Sequence, residues 1–153
     1  MKSILKKQQN KNGYGIFTTV TISPKSVVFE FKGNLLSKEN LNLNSPFYLQ
    51  IDKNKFLGPS GDYDDYINHS CNPNCGLYIV NNRAFLYSIY EILPNTEITF
   101  DYSTSCNLSN NEWSMTCNCG QFNCRKIISG WQYLPDKIKN YYLKLDYVAK
   151  FLK

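Results

Sequence analysis

Asn68-His69-Ser70-Cys71-Asn72-Pro73-Asn74-Cys75 is the densest polar stretch of the chain and carries its single histidine. By itself an Asn-x-Pro-Asn step reads as a turn, because Asn bonds its own backbone and Pro fixes φ. A lone histidine likewise reads first as a structural residue. Tyr66-Ile67 lead into the stretch and the apolar residues 77–80 follow it, so it feeds a strand.

Toward the N-terminus, Gly13-Tyr14-Gly15 opens the β-rich run Ile16-Phe17-Thr18-Thr19-Val20. A Ser23-Pro24-Lys25 turn precedes a second strand, residues 27–31, which stops at Gly33. Residues 47–51 and 55–57 form a hairpin around Asp52-Lys53-Asn54. Toward the C-terminus, residues 84–90 follow an Asn81-Asn82-Arg83 turn, and residues 98–102 follow Leu93-Pro94-Asn95-Thr96. The Asn-rich patches at residues 41–44 and 107–111 read as loops. Helical spacing enters only in the tail: after Pro135-Asp136, the residues Ile138, Tyr142, Leu145 and Ala149 recur near a 3.6 period, with lysines between. The pattern predicts a small, mostly β protein with one terminal helix.

The chain has 153 residues, 42% hydrophobic and 19% charged, which suits one packed domain rather than a disordered chain. Its formal charge of +5 comes from lysines near both ends, such as Lys2, Lys6, Lys7, Lys150 and Lys153. No like-charge run is long enough to mark a nucleic-acid site, so direct nucleic-acid binding is not expected. The first residues, Met1-Lys2-Ser3-Ile4-Leu5-Lys6-Lys7, turn polar at once, unlike a signal peptide. No apolar run nears the roughly 20 residues of a membrane span. The expectation is an intracellular protein without a membrane partner, cytoplasmic or nuclear, or acting in a host cell. The sequence sets no oligomeric state.

Inside a cell, six cysteines read as thiols or metal ligands rather than disulfides. Cys117-Asn118-Cys119-Gly120-Gln121-Phe122-Asn123-Cys124 clusters three of them around a glycine turn. A structural zinc ion takes four ligands, so a fourth must come from elsewhere. The candidates are Cys71, Cys75, Cys106 and His69.

In chain order stand Gly-x-Gly, Asn-His-Ser-Cys-x-Pro-Asn-Cys, Glu97-Ile98-Thr99-Phe100-Asp101-Tyr102 and the cysteine triplet. This succession resembles the SET-domain protein lysine methyltransferases with a post-SET zinc motif, over residues 10–130. The resemblance implies a mostly β SET-domain fold: small curved β-sheets with a pseudoknot threaded by the Asn-His-Ser-Cys segment, a zinc-binding post-SET loop and a C-terminal helix. It divides the chain into a SET domain (1–104), a post-SET region (105–130) and a helical tail (131–153). It implies methyl transfer from S-adenosylmethionine to a lysine amine of a protein or peptide, with histones among the candidate substrates.

Carried over by position, the resemblance makes Gly13, Tyr14 and Gly15 a close backbone approach to the cofactor, with Asn68 and His69 bonding it. Tyr102 matches the active-site tyrosine, beside both cofactor and amine. Phe100 matches the position that influences how many methyl groups are added; lacking a hydroxyl to hold a water, it favours di- or trimethylation. Tyr78, Phe47 and Tyr48 are candidates for the aromatic lysine channel. Trp113 and Met115 stand where family members cover the adenine. Cys71 becomes the fourth zinc ligand, with Cys117, Cys119 and Cys124. Cys75 is expected to pack as a buried thiol, and Cys106 is left over.

The chain also departs from the family pattern. Phe31 and Asn34 replace a tyrosine and a glutamate, and Asp64-Asp65 stand where a basic and aromatic pair is usual. Phe31 and Asn34 keep open a zinc-stabilised interaction module that has lost catalysis.

Overall fold

The computed structural model describes residues 4–11, 13–42 and 47–153; Lys2, with the rest of residues 1–3, and the Leu43-Asn44 part of the Asn-rich patch lie outside them. Leu5–Asn10 (β1) and Gly13–Thr18 (β2) open the chain as an antiparallel hairpin, in register from Leu5↔Thr18 to Asn10↔Gly13. Then follow Val27–Glu30 (β3), Leu35–Ser37 (β4), Leu49–Asp52 (β5), Lys55–Leu57 (β6), Asn68–His69 (β7), Cys75–Val80 (β8), Arg83–Ser88 (β9) and Thr99–Phe100 (β10). Met115–Thr116 (β11) pairs antiparallel with Ile127–Ile128 (β12), and Asp136–Leu145 (α1) is the α-helix of the tail.

Two three-stranded sheets form the body, in orders β3-β9-β8 and β4-β6-β5. Both hairpins sit where their turn residues predict. Asn81 and Asn82 take φ of 50° and 58°, the left-handed pair that a tight turn between right-twisted strands needs, and Asn tolerates it. Alternation then sends Leu77 from β8 and Ala84 and Leu86 from β9 into one core with Ile16, Val28 and Ile98. Each large side chain fully buried there stabilises the fold by roughly 1.5–3 kcal/mol.

Two polar devices hold the Asn68–Cys75 stretch against residues 97–100. Strand β7 pairs parallel with β10, Asn68 opposite Thr99 and His69 opposite Phe100. Beside it, Asn74 donates through Nδ2 to the Glu97 carbonyl at 2.7 Å and accepts the Thr99 N–H at 3.0 Å. The Asn-Pro-Asn step is therefore a side-chain bridge as well as a bend.

Strand β10 and helix α1 are among the elements shorter than their patterns. The strand expected over residues 98–102 ends at Phe100, because the Asp101 carboxylate caps a turn by accepting the Ser103 N–H at 3.1 Å. The helix starts after Pro135 as expected but stops at Leu145, where Asp146 turns left-handed at φ 57°. Ala149 is thus not on the helix; it is buried in the chain beyond, donating its N–H to the Thr104 carbonyl at 2.9 Å. Tyr142 is the buried residue of α1 and packs with Trp131, Leu134 and Val148 in a separate small core.

Candidate active site

A cavity of about 600 Å³ opens between the β4-β6-β5 sheet, the β7–β10 pair and the stretch before β11. Phe31, Phe47, Tyr48, Asn68, Phe100, Tyr102, Trp113 and Met115 are among the residues that line it. Its aromatic wall is continuous: Phe31 meets Phe100 edge-on at 5.7 Å, and Phe100 lies 4.9 Å from Tyr102. Such walls exclude water while leaving a negative ring face toward any cation that enters.

Tyr102 is held at both ends. Its N–H donates to His69 Nδ1 at 3.2 Å, and its hydroxyl donates to the Ile67 carbonyl at 2.7 Å. With its proton turned to Ile67, the phenol oxygen keeps its lone pairs for the cavity. Burial, reinforced by the Glu97 charge, pushes the Tyr102 phenol well above its ordinary range. At neutral pH it is a phenol, suited to orienting groups rather than taking a proton.

Asn68 reaches the glycine-bearing strand. Its Nδ2 donates to the Tyr14 carbonyl at 2.9 Å and to Glu97 Oε1 at 2.7 Å. A Cβ on Gly15 would run into that same carboxylate, so the close approach needing Gly15 is to Glu97 of this chain. Gly13 is required by its φ of 108°, with nothing near its missing Cβ. Gly13, Tyr14 and Gly15 therefore adjoin Asn68 without lining the cavity. The Lys7 ammonium lies over the Tyr66 ring, 3.2 Å from its centroid, and 4.5 Å from that of Tyr14.

His69 faces inward. Because Nδ1 accepts from Tyr102, its proton sits on Nε2, which points at Cys71 Sγ 3.3 Å away. Burial lowers its pKa to about 4 against the pull of Asp101, so the ring is neutral. The ring thus ties Cys71 to the Tyr102 backbone.

Cys71, Cys117, Cys119 and Cys124 bring four sulfurs within 4.8 Å of one another. Cys71 and Cys117 are 3.7 Å apart. A zinc ion bound by four thiolates at about 2.3 Å requires tetrahedral edges of about 3.8 Å, so the donor set could hold one. Burial raises the Cys71 and Cys117 thiols, whereas at Cys119 burial is outweighed by backbone hydrogen bonds from Cys71 and Gln121, and the thiol falls to about 7. Four thiolates this close need a cation among them. Of the other candidates for fourth ligand, Cys75 is buried on β8, Cys106 lines the cavity, and His69 bonds the cluster from outside.

Tyr78 lies elsewhere. In register, Gly76 faces Tyr87 and Tyr78 faces Phe85, so these four share one side of the sheet. Tyr147 covers that side by packing on bare Gly76, whose Cβ it would otherwise meet. Tyr78 meets Tyr87 edge-on at 6.0 Å in a shallow cleft with Lys25 and Tyr147, away from Tyr102. Its expected channel position is corrected accordingly.

Asp64 accepts the Lys32 N–H at 2.8 Å and the Ser60 hydroxyl at 2.5 Å, fixing the chain just after Phe31. Asp65 accepts the N–H groups of Ser60 and Gly61 at 3.0 and 2.8 Å. Sequence reasoning also passed over Asp101. That buried carboxylate takes both Arg125 guanidinium nitrogens at 2.7 Å and the Tyr142 hydroxyl at 3.0 Å.

The family model described as SET domain matches residues 13–103, more than half the chain. The chain belongs to the SET-domain family. Over 130 residues it is 33% identical to the histone-lysine N-methyltransferase NSD3 of Mus musculus, a match spanning 74% of this chain and 9% of that protein. It is 31% identical over 130 residues to the H3 lysine-36 specific histone-lysine N-methyltransferase of Homo sapiens, spanning 74% and 5%. The SET domain also superposes on KRYPTONITE in complex with mCHH DNA, H3(1-15) peptide and SAH. There the TM-score is 0.67 at 25% identity, over 82% of this chain and 29% of that one. Chain and relatives thus share a SET domain, while the curated relatives extend far beyond it.

Proposed function

We propose that this SET domain transfers methyl groups from S-adenosylmethionine to the side-chain amine of a lysine in a protein. The observation that carries the reading is one aromatic cavity lined by Asn68, Phe100, Tyr102, Trp113 and Met115. The relatives' names and the SAH in the KRYPTONITE structure support it. In this reading residues 1–104 are the SET domain, 105–130 the post-SET region with zinc on Cys71, Cys117, Cys119 and Cys124, and 131–153 the tail. Asn68, Trp113 and Met115 form the cofactor side of the cavity, extended by the adjoining Gly13-Tyr14-Gly15 strand and the His69 backbone, and Phe100 and Tyr102 form the amine side.

When bound, the cofactor supplies an electrophilic methyl on a sulfonium: the N–C bond forms as the S–C bond breaks, and its electron pair stays on sulfur. The chain's residues do the rest by placement. The rings of Phe31, Phe100 and Tyr102 desolvate the amine, which favours the neutral form that can attack, its proton having left to water. The Tyr102 oxygen, its own proton engaged by Ile67, directs lone pairs at the reacting groups. Holding nucleophile and carbon near 3 Å and in line supplies much of the acceleration. Phe100 offers no hydroxyl for a water, leaving room for a second and third methyl group.

A histone is the substrate class that the relatives suggest, and the protein acts inside a cell, in the nucleus if so. The test is transfer of labelled methyl from S-adenosylmethionine to core histones, resolved by mass spectrometry, for wild type and Tyr102→Phe. Lysine di- or trimethylation by wild type and a loss of about a hundredfold in the variant are expected. Phe31, which lines the cavity without a hydroxyl, is what favours the inactive-module reading. That reading requires no transfer to any protein.

A further inference from the structure

Residues 131–153 lie beyond the stretch that matches the family, yet the tail grips the segment that carries Tyr102. The Tyr142 hydroxyl donates to Asp101 Oδ2 at 3.0 Å. The Ala149 N–H donates to the Thr104 carbonyl at 2.9 Å, and the Trp131 N–H to that of Cys106 at 2.7 Å. The Ser103 hydroxyl donates to the Ser129 carbonyl at 2.6 Å, just before the tail. Residues 101, 103, 104 and 106 are thus tied from behind, while Tyr102, Ser105 and Cys106 line the cavity.

Asp101 is the hub of these ties. Its side chain has no solvent exposure, and Arg125, only 12% exposed, meets it with two nitrogens. The Ser103 N–H and the Tyr142 hydroxyl occupy further lone pairs, and His69 Nδ1 stands 3.6 Å away. A buried carboxylate with its lone pairs taken is fixed in direction as well as charge. The peptide joining it to Tyr102 is then held between that carboxylate and the bonds from Tyr102 to His69 and Ile67.

Packing alone does not call for the Tyr142 oxygen. Its neighbours Trp131, Leu134 and Val148 would accept a phenylalanine ring, and Arg125 already neutralises Asp101. A buried hydroxyl costs stability unless bonded, and its bond here goes to the residue beside Tyr102.

We propose that Tyr142 is a positioning residue for methyl transfer: acting through Asp101, it fixes where the Tyr102 hydroxyl stands in the cavity. The proposal rests on the methyltransferase reading and makes the tail part of the working site. Displacing a reacting group by a fraction of an ångström is enough to slow turnover about tenfold.

The test compares full-length Tyr142→Phe with wild type and with Tyr141→Phe, which removes the hydroxyl of the neighbouring, half-exposed ring. The assay follows labelled methyl transfer to histone H3. Tyr142→Phe should lower kcat about tenfold, leave KM for S-adenosylmethionine and for H3 within about twofold, and shift the melting temperature by only a few degrees. Tyr141→Phe should match wild type. An unchanged kcat in Tyr142→Phe overturns the proposal, as does a loss that tracks zinc content and melting temperature, which would mean packing. Wild type inert toward H3 would count against the substrate assignment instead. Positioning is then read from the ring-carbon resonance of Tyr102 in 13C-tyrosine-labelled protein. A shift in Tyr142→Phe but not in Tyr141→Phe supports the proposal, and no shift overturns it.

Discussion

The first hundred residues and the last fifty are held together by different physics. In the first part, Ile16, Val28, Leu77, Leu86 and Ile98 are wholly buried in one apolar core that joins strands distant in sequence. In the second, the structure depends on the thiols of Cys117, Cys119 and Cys124 clustered with Cys71 of the first, on the buried Asp101–Arg125 pair and on a small patch around Tyr142. Apolar burial needs no partner from solution and little care for pH. A thiolate cluster needs both a metal ion and deprotonated sulfur. The cavity lies at the seam, with Phe31 and Phe100 from the first region and Trp113 and Met115 from the second. Its walls should therefore fail separately.

The largest effect should come from withdrawing metal. Treatment with a strong zinc chelator, or Cys117→Ser, should abolish methyl transfer and strip hydrogen-exchange protection from residues 106–130. Amides of β8 and β9 should stay protected; simultaneous loss in both regions would erase the distinction. Next comes Leu77→Ala, which opens a hole in the apolar core and should cost about 2–5 kcal/mol of global stability by denaturant titration. Its metal content in the native state should not change.

The smallest effect is at the surface of the first region. There Arg83 Nε and Lys32 Nζ approach Glu30 at 2.7 and 2.8 Å, and their hydrogen bonds hold its carboxyl down to about 2. A depressed carboxylate stabilises the fold above its unfolded pKa and loses that contribution as pH falls toward about 2. Both cations are mostly exposed, so screening leaves little: Glu30→Gln should lower the melting temperature at pH 7 by about 3 °C at most. The gap from wild type should close between about pH 4 and pH 2.

The two regions also differed in how plainly the sequence announced them. Strand β9 alternates in burial and the Asn81-Asn82 turn stands just before it, so its hairpin with β8 is readable. Strand β1 was not, because only Leu5 in it is buried and a polar run such as Lys6-Lys7-Gln8-Gln9 carries no period. The clustering of Cys71 with the distant triplet followed from resemblance, since spacing left four candidates for the last ligand. Aromatic character alone suggests the channel for Tyr78 but does not say which side of a sheet a residue faces; its register with Phe85 does. The Tyr142–Asp101 bond joins residues 41 apart, and no local pattern marks such a pair.

The most direct test of the whole account is a crystal structure of the chain with S-adenosylhomocysteine and a lysine-containing H3 peptide. The account predicts the cofactor product against Asn68 and the Gly13-Tyr14-Gly15 strand, under Trp113, with the lysine amine beside the Tyr102 hydroxyl. Cofactor product bound away from Asn68, or a lysine that enters without approaching Tyr102, would contradict it.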